Sequence, residues 1–299
     1  MKIVIAGGTG GIGKHLVSAL KDYHEIIVLS RSKSQIISKK LQIINYSTDI
    51  ESWCKALNNT DVIINLAGEP IVAKRWSKKQ KQIILDSRLN SIKQISKALK
   101  IINHNPQLIM NASAIGYYSY SSKRQNEHNK NGSHFSSKVC VEWENKAVQD
   151  FSSQTKRLVI LRMGIVLDPK SGILLKLSPL FRYGLGAIIG SGKQIFPWVD
   201  IDDVVESIKH IIKLDIKGPV NIVAPSEDDN YRFSKILGKV LGRPVFIRIP
   251  SFILKIFLGE MSDSIVNSSN IYPSILLKSG YQFRFAKLYD SVNKNYTKE

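Results

Sequence analysis

The sequence predicts an α/β fold of the Rossmann type: a doubly wound parallel sheet with a smaller C-terminal substrate domain. Three observations lead there. Short apolar segments alternate with amphipathic ones from the first residue. A glycine-spaced turn joins the first apolar segment to the first amphipathic one. Several apolar segments are hydrophobic on both faces, as strands covered by helices on each side must be.

"KIVIAG" reads as the first strand, and "GIGKHLVSALKDY" as the first helix, because Ile12, Leu16, Val17 and Leu20 recur at helical spacing. "EIIVLS" is the second strand, "LQIINYS" the third, "IESWCKALN" a short helix, and "DVIINLAG" a fourth strand. The period of Ile83, Ile84, Leu89, Ile92, Ile95 and Leu99 predicts a long helix over 77–103. "PQLIMNASA" and "KRLVILRMGIVL" are further buried strands, with a helix over 136–151 between them. After residue 167 Gly/Pro-rich loops appear, then a capped helix in "WVDIDDVVESIKHIIKL", a strand in "GPVNIVAP" and a helix in "RFSKILGKVLG". In "PSFILKIFLGEMSDSIVN", Phe252, Ile253, Ile256, Phe257 and Met261 keep helical spacing. A helix packed on the core is expected there rather than one lying on a membrane, because its other face carries few basic residues. The expected division is a cofactor-binding domain over 1–167, joined by a strand at 219–224, and a mainly substrate-binding region over 168–299.

Composition narrows the class. With 43% hydrophobic and 22% charged residues, the chain of 299 residues has an ordinary globular make-up. No run approaches the ~18 apolar residues of a membrane span, and no signal peptide is visible. Cys54 and Cys140 are far apart and form no metal-spaced pair, so a reducing, cytoplasmic setting without a metal site is expected. The net charge of +19 comes from scattered lysines in a chain rich in Ile and Asn, which reads as solvated faces rather than a nucleic-acid surface.

The turn "AGGTGGIGKHL" places Gly7, Gly10 and Gly13 between a strand and a helix. In that context glycines permit a tight turn, close approach to a pyrophosphate and close helix–strand packing, with phosphate on the helix N-terminus. Thr9, Gly11 and Ile12 belong to the same turn. NAD binders place an acid at the end of the second strand, on the ribose diol. Here "LSRSKS" puts Ser30 and Arg31 there, and a guanidinium suits a 2′-phosphate. NADP(H) is the expected cofactor.

These residues, with "DVIINLAGEPI", "ASAIGYYS", "VCVEWE", "ILRMGIVL", "GLGAIIGSGKQIFPWVDIDD" and "LGRP", resemble the extended short-chain dehydrogenases/reductases. Within them the chain is similar to the atypical epimerase-family branch, some members of which are labelled cell-division-inhibitor-like. The resemblance covers the whole chain. It implies a Rossmann domain, a C-terminal domain closing a cleft, and NADP(H) binding. By position it implies that Leu66, Ala67 and Gly68 line the cofactor, that Arg88 reaches toward a phosphate, and that Gly164 and Ile165 approach the nicotinamide. Where the family pattern has histidine this chain has Asp200, which removes the basis for a pocket role there.

Typical members use a tyrosine and a lysine four residues later, on one helical face, to move a proton as hydride moves. Aligned on "VEWE", those positions hold Ser136 and Cys140. Tyr231 and Lys235 have the spacing but lie far from that helix. Ser113 keeps the place of the family's catalytic serine, and Tyr117 is the first choice for the lost acid, with Tyr118, Glu144 and Cys140 as substitutes. A pocket after Trp76 and around Trp198 is expected to take a small polar or carbonyl molecule. The expected function is an NADP(H)-dependent oxidoreductase or nucleoside-sugar-type epimerase with a non-standard active site. The alternative is a non-catalytic NADP(H) sensor or regulator. A small-molecule substrate is expected, with no nucleic acid and no membrane span, and with room for a protein partner or a homodimer.

Overall fold

The computed structural model describes residues 1–46, 49–72 and 74–296. In chain order the first half forms β1 (Lys2–Ala6), α1 (Gly11–Leu20), β2 (Glu25–Ser30), β3 (Gln35–Ser38), β4 (Leu41–Asn45), α2 (Ile50–Leu57), β5 (Val62–Asn65), α3 (Lys78–Ile101), β6 (Leu108–Ala114), β7 (Ser121–Gln125), α4 (Phe135–Phe151), β8 (Leu158–Met163) and β9 (Ile165–Asp168). The second half adds α5 (Gly172–Arg182), β10 (Ala187–Ile189), β11 (Trp198–Asp200), α6 (Ile201–Lys213), β12 (Gly218–Ile222), α7 (Asn230–Val240), β13 (Ile247–Ile249), α8 (Ser251–Leu258), α9 (Asp263–Val266), β14 (Ser269–Ile271), α10 (Ser274–Lys278) and α11 (Leu288–Tyr296).

The main sheet has eight strands in the order β12-β8-β6-β5-β1-β2-β4-β3. All neighbours are parallel except β3 and β4. Strands β1, β2, β5, β6 and β8 are buried along most of their length, which is why their sequences read as unbroken apolar runs. The order reverses at β1, with β2 on one side and β5 on the other. A crevice at the carboxyl ends of strands next to such a reversal is the ligand position in this kind of sheet.

Strand β3 departs from the sequence reading. "QIIS" has no buried residue and pairs antiparallel at the sheet edge. A strand without a buried face leaves no alternation to detect.

A second core, around Leu167, Phe181, Trp198, Phe233, Leu288 and Val292, underlies the later elements. Trp198, where the sequence reading expected a pocket, is 1% exposed and donates from Nε1 to Asp228 Oδ2 at 2.9 Å, so it builds this core. Two acids at the start of α6, its N-cap Asp200 and Asp203, hold the C-terminal segment. Asp200 accepts from Ser291 Oγ (2.6 Å) and Lys294 Nζ (2.8 Å), and its own carboxylate caps Asp202 N. Asp203 accepts from Tyr281 OH, Arg284 N and Phe285 N, each at 2.9 Å. Asp200 therefore anchors α11.

Helix α8 overturns the expectation of a core-packed helix: it buries no residue. Phe252, Ile256 and Phe257 all stand in solvent, and the stripe reaches the interior only at Met261. Among the described residues no helix is long and apolar enough to cross a membrane.

Candidate functional site

The strand ends bring most of the expected cofactor residues to one edge of the sheet. Gly7 has φ of +79°, a conformation that favours glycine, and a Cβ there would stand 3.0 Å from Ala67 N. At Gly13 a Cβ would fall 2.5 Å from Gly7 O and Gly8 Cα, so only glycine lets α1 seat against the turn. Gly10 caps α1 with no side chain on its first-turn N–H groups, and that turn contains no acid. Those N–H groups and the helix dipole suit an anion. Gly11 faces Ser171, which a Cβ would approach to 2.4 Å, while Ile12 packs against the main core.

The adenosine end follows from β2, β4 and α2. Thr9 Oγ1 and Ser30 Oγ lie 2.8 Å apart, and Ser32 N donates to Ser30 Oγ at 3.2 Å, which shapes the turn carrying exposed Arg31. Arg31, Ala67 and Gly68 line a cleft of about 680 Å³, together with Tyr46, Asp49, Trp53, Ser87 and Asn90. Neither Asn90 nor Trp53 stands out as functional in the sequence, because each also fits its helix pattern. Leu66 is half-buried beside this cleft, its carbonyl carbon 3.0 Å from where a Gly7 Cβ would stand.

Asn65 and Asn111, which the sequence reading missed, fix the loop after β5. Both are fully buried; Asn65 Nδ2 donates to Asn111 Oδ1 (2.7 Å) and Ser91 Oγ (3.1 Å), and Asn65 Oδ1 accepts from Ala67 N (3.3 Å). Arg88 lies beneath the same loop. Its Nη1 donates to Glu69 O (2.9 Å) and Ile84 O (2.7 Å), and its guanidinium sits 4.8 Å from the Trp143 ring centre. Burial holds its pKa below the usual value. Arg88, expected to reach toward a phosphate, thus has one guanidinium nitrogen on a loop carbonyl and a carbonyl of its own helix.

A buried polar network stands at the ends of β6 and β8. Ser113 Oγ donates to Glu144 Oε1 at 2.6 Å. Arg162, directly across the strand pair from Ser113, donates from Nε to Glu144 Oε1 (2.9 Å) and from Nη2 to Oε2 (2.8 Å). Its Nη1 donates to Tyr118 OH (2.9 Å), and Tyr118 OH donates on to Asn221 Oδ1 (2.7 Å). Glu127 Oε1 accepts from Asn221 N (3.1 Å) and Ile275 N (3.2 Å). Burial opposes the Arg162 charge, but the hydrogen bonds and charge of Glu144 hold its pKa above the usual arginine value. The signal for Arg162 was present: a cation inside the buried run "LVILRM" requires an internal partner.

The substitutes for the missing tyrosine are sorted by this network. Tyr118 is 1% exposed, and burial pushes its phenol up to about 12. Burial, then the Glu144 charge, pushes the Cys140 thiol up to about 12, and the thiol rests on Ala114 O. Glu144 is committed to Arg162 and Ser113. Tyr117 is half-buried, its ring centre 3.5 Å from Arg162 Cζ, and among the described residues its hydroxyl has no hydrogen-bond partner. Ser136 Oγ meets Ser264 Oγ at 3.3 Å. Trp76, edge-on to Phe135, donates to Ile71 O, and Tyr231 and Lys235 lie on α7 in the second lobe.

Gly164 marks the point where the chain leaves the main sheet for β9. A Cβ there would lie 2.7 Å from Val223 Cγ1 and 2.9 Å from Pro197 O. Ile165 pairs with Trp198. Among the described residues no cluster of three or more His, Cys, Asp or Glu could hold a metal ion.

A parallel sheet whose order reverses beside a glycine turn, with that turn opening a helix, defines a Rossmann-type nucleotide-binding fold. Residues 3–223 match the model of the NAD dependent epimerase/dehydratase family, and residues 249–293 match a domain of unknown function, DUF1731. The chain belongs to the NAD dependent epimerase/dehydratase family. It is 33% identical to epimerase family protein SH2119 of Staphylococcus haemolyticus over 96% of both chains. It is 31% identical to epimerase family protein YfhF of Bacillus subtilis, over 96% of this chain and 95% of that one. The crystal structure of human epimerase family protein SDR39U1 (isoform2) with NADPH superposes with a TM-score of 0.89 and 28% identity, over 100% of both chains.

Proposed function

We propose that the chain binds NADP(H) and acts as an oxidoreductase or nucleoside-sugar-type epimerase without the usual tyrosine–lysine pair. The residues fit the cofactor: an α1 N-terminus without a side-chain cap, behind glycines, for the pyrophosphate, Arg31 for a 2′-phosphate, and the walled cleft beside Ala67 and Gly68 for the adenosine. The NADPH in the human relative supports the same choice. Leu66, Gly164 and Ile165 continue the line of contact toward the nicotinamide end.

Bound NADP(H) supplies the hydride chemistry; the rest falls to this chain. The Ser113–Glu144–Arg162 array is the observation that carries the catalytic reading. The Ser113 proton is given to Glu144, so Ser113 Oγ presents lone pairs and accepts from a substrate hydroxyl. Tyr117 is the phenol with its proton uncommitted, and the Arg162 guanidinium stacked on its ring fixes where that ring stands. Arg88 holds the Gly68–Glu69 loop that walls the cofactor. A second reading, an NADP(H)-dependent regulator without turnover, draws on the lysine position being a buried, unreactive Cys140.

Calorimetric titration with NADPH and NADH tests the cofactor half. NADPH is expected to bind more tightly, and Arg31→Ala to cost NADPH about 10- to 100-fold, the worth of charged hydrogen bonds of ~1.5–3 kcal/mol, while leaving NADH unchanged. Absence of binding by either nucleotide refutes both readings. Turnover that survives Arg31→Ala at saturating NADPH but is lost in Tyr117→Phe separates the enzyme from the regulator.

A further inference from the structure

Two segments of the second lobe carry cations and no acids. Residues 169–199 and 231–258, which supply α5, β10, α7, β13 and α8, carry ten lysines and arginines and no aspartate or glutamate. These segments form one surface: β10 pairs with β13, and Ser251 Oγ at the start of α8 lies 2.7 Å from where a Gly190 Cβ would stand. Arg232 pairs with Asp228 at 3.0 Å. Lys176, Lys235, Arg243 and Arg248 donate instead to the backbone carbonyls of Val72, Val245, Arg182 and Ser191. Such bonds satisfy donors and cancel no charge.

The same lobe exposes large apolar side chains. Phe246 is 81% exposed, Phe252 64%, Ile256 65% and Phe257 72%. Phe252 and Ile256 are four residues apart, so they share a face of α8, and Phe257 borders it. Phe246 and three cations, Lys235, Lys239 and Arg243, line a shallow cavity of about 310 Å³, with Lys235 Nζ 5.7 Å from the Phe246 ring centre. Exposed apolar groups beside uncompensated cations are the composition of a surface that inserts shallowly into an anionic bilayer.

We infer that this lobe docks on an anionic lipid bilayer, with Phe246 and the Phe252–Ile256–Phe257 face entering the interface and the surrounding cations meeting lipid headgroups. Charge complementarity selects this occupant. A second copy would bring two surfaces of net positive charge together and repel. A nucleic-acid backbone would use the cations but leaves the aliphatic face of α8 in water.

The test is co-sedimentation of the full chain with phosphatidylcholine vesicles, with and without phosphatidylglycerol, at low and high salt. Binding is expected only with phosphatidylglycerol, weakened by salt. The Phe252→Ser/Phe257→Ser double variant, both positions being exposed and so tolerant of change, is expected to lose about tenfold in affinity. In a separate Phe257→Trp variant, the added tryptophan emission should shift to the blue on anionic vesicles. No sedimentation at low salt, no effect of the double variant, or no spectral shift overturns the proposal. So does a dimer in light scattering that the double variant dissolves.

Discussion

Replacing Arg162 with methionine probes the array that carries the catalytic reading. Arg162 is 3% exposed and Glu144 8%, and two hydrogen bonds of 2.8 and 2.9 Å join them. Methionine keeps much of the buried volume but leaves a buried carboxylate facing no cation, a change that costs ~3–5 kcal/mol. Ser113 still donates to Glu144, which favours the lower figure, about 3 kcal/mol. At roughly 2–4 °C per kcal/mol for larger domains, the midpoint of thermal unfolding should fall by about 6–12 °C. Glu144→Gln in the same chain removes the stranded charge, so the double variant should recover at least half of the loss. Urea unfolding followed by tryptophan fluorescence, run as a double-mutant cycle, measures this directly. A loss under about 1 kcal/mol for Arg162→Met, or strict additivity of the two changes, would refute the claim that the pair is buried and coupled.

The Cys140 thiol, buried and pushed up to about 12, should resist a thiol-reactive disulfide at mildly alkaline pH until the chain is unfolded. Full labelling of Cys140 in the folded protein contradicts its placement. His134 gives a pH prediction. Its Nδ1 accepts from Ser137 N at 3.2 Å and Nε2–H donates to Tyr118 O at 3.0 Å, so it caps α4 in the neutral form. Burial holds its pKa below 6.5, against a smaller opposing effect of the Tyr118 carbonyl. The unfolded chain then binds the proton more readily, and stability is lost as pH falls from about 6.5 toward the lower folded value. His134→Asn, which retains a cap without titrating, should flatten that part of the profile; an unchanged slope in denaturant unfolding counts against it.

The parallel sheet was legible because burial on both faces writes an unbroken apolar run, as in "IIVLS" and "VIIN". The glycine turn was legible because its spacing and its strand–helix context coincide. The edge strand at Gln35–Ser38 was not, since exposure on every residue leaves no pattern. Helix α8 was misread for a related reason: periodicity shows that Phe252, Ile256 and Phe257 share a side, but not what that side faces. The site was half legible. Ser113, Tyr117 and Arg31 are proposed from position, whereas Asn65, Asn111, Glu127 and Asn221 act through partners that no local spacing reveals. Glu127, for example, meets the backbone of Asn221 and Ile275, both far along the chain.

That last connection bears on how the protein is made. A nascent chain that has emerged through β8 presents an unpaired strand edge, because β12 must still be synthesised to cover it. Glu127 waits longer still, for a backbone N–H that lies 148 residues downstream. Until then the sheet has an open margin and Glu127 lacks both of its backbone donors, a species suited to chaperone capture. Birth of the fold therefore completes from its far end, when Asp203 receives Arg284 and Phe285 and the last helix is locked down.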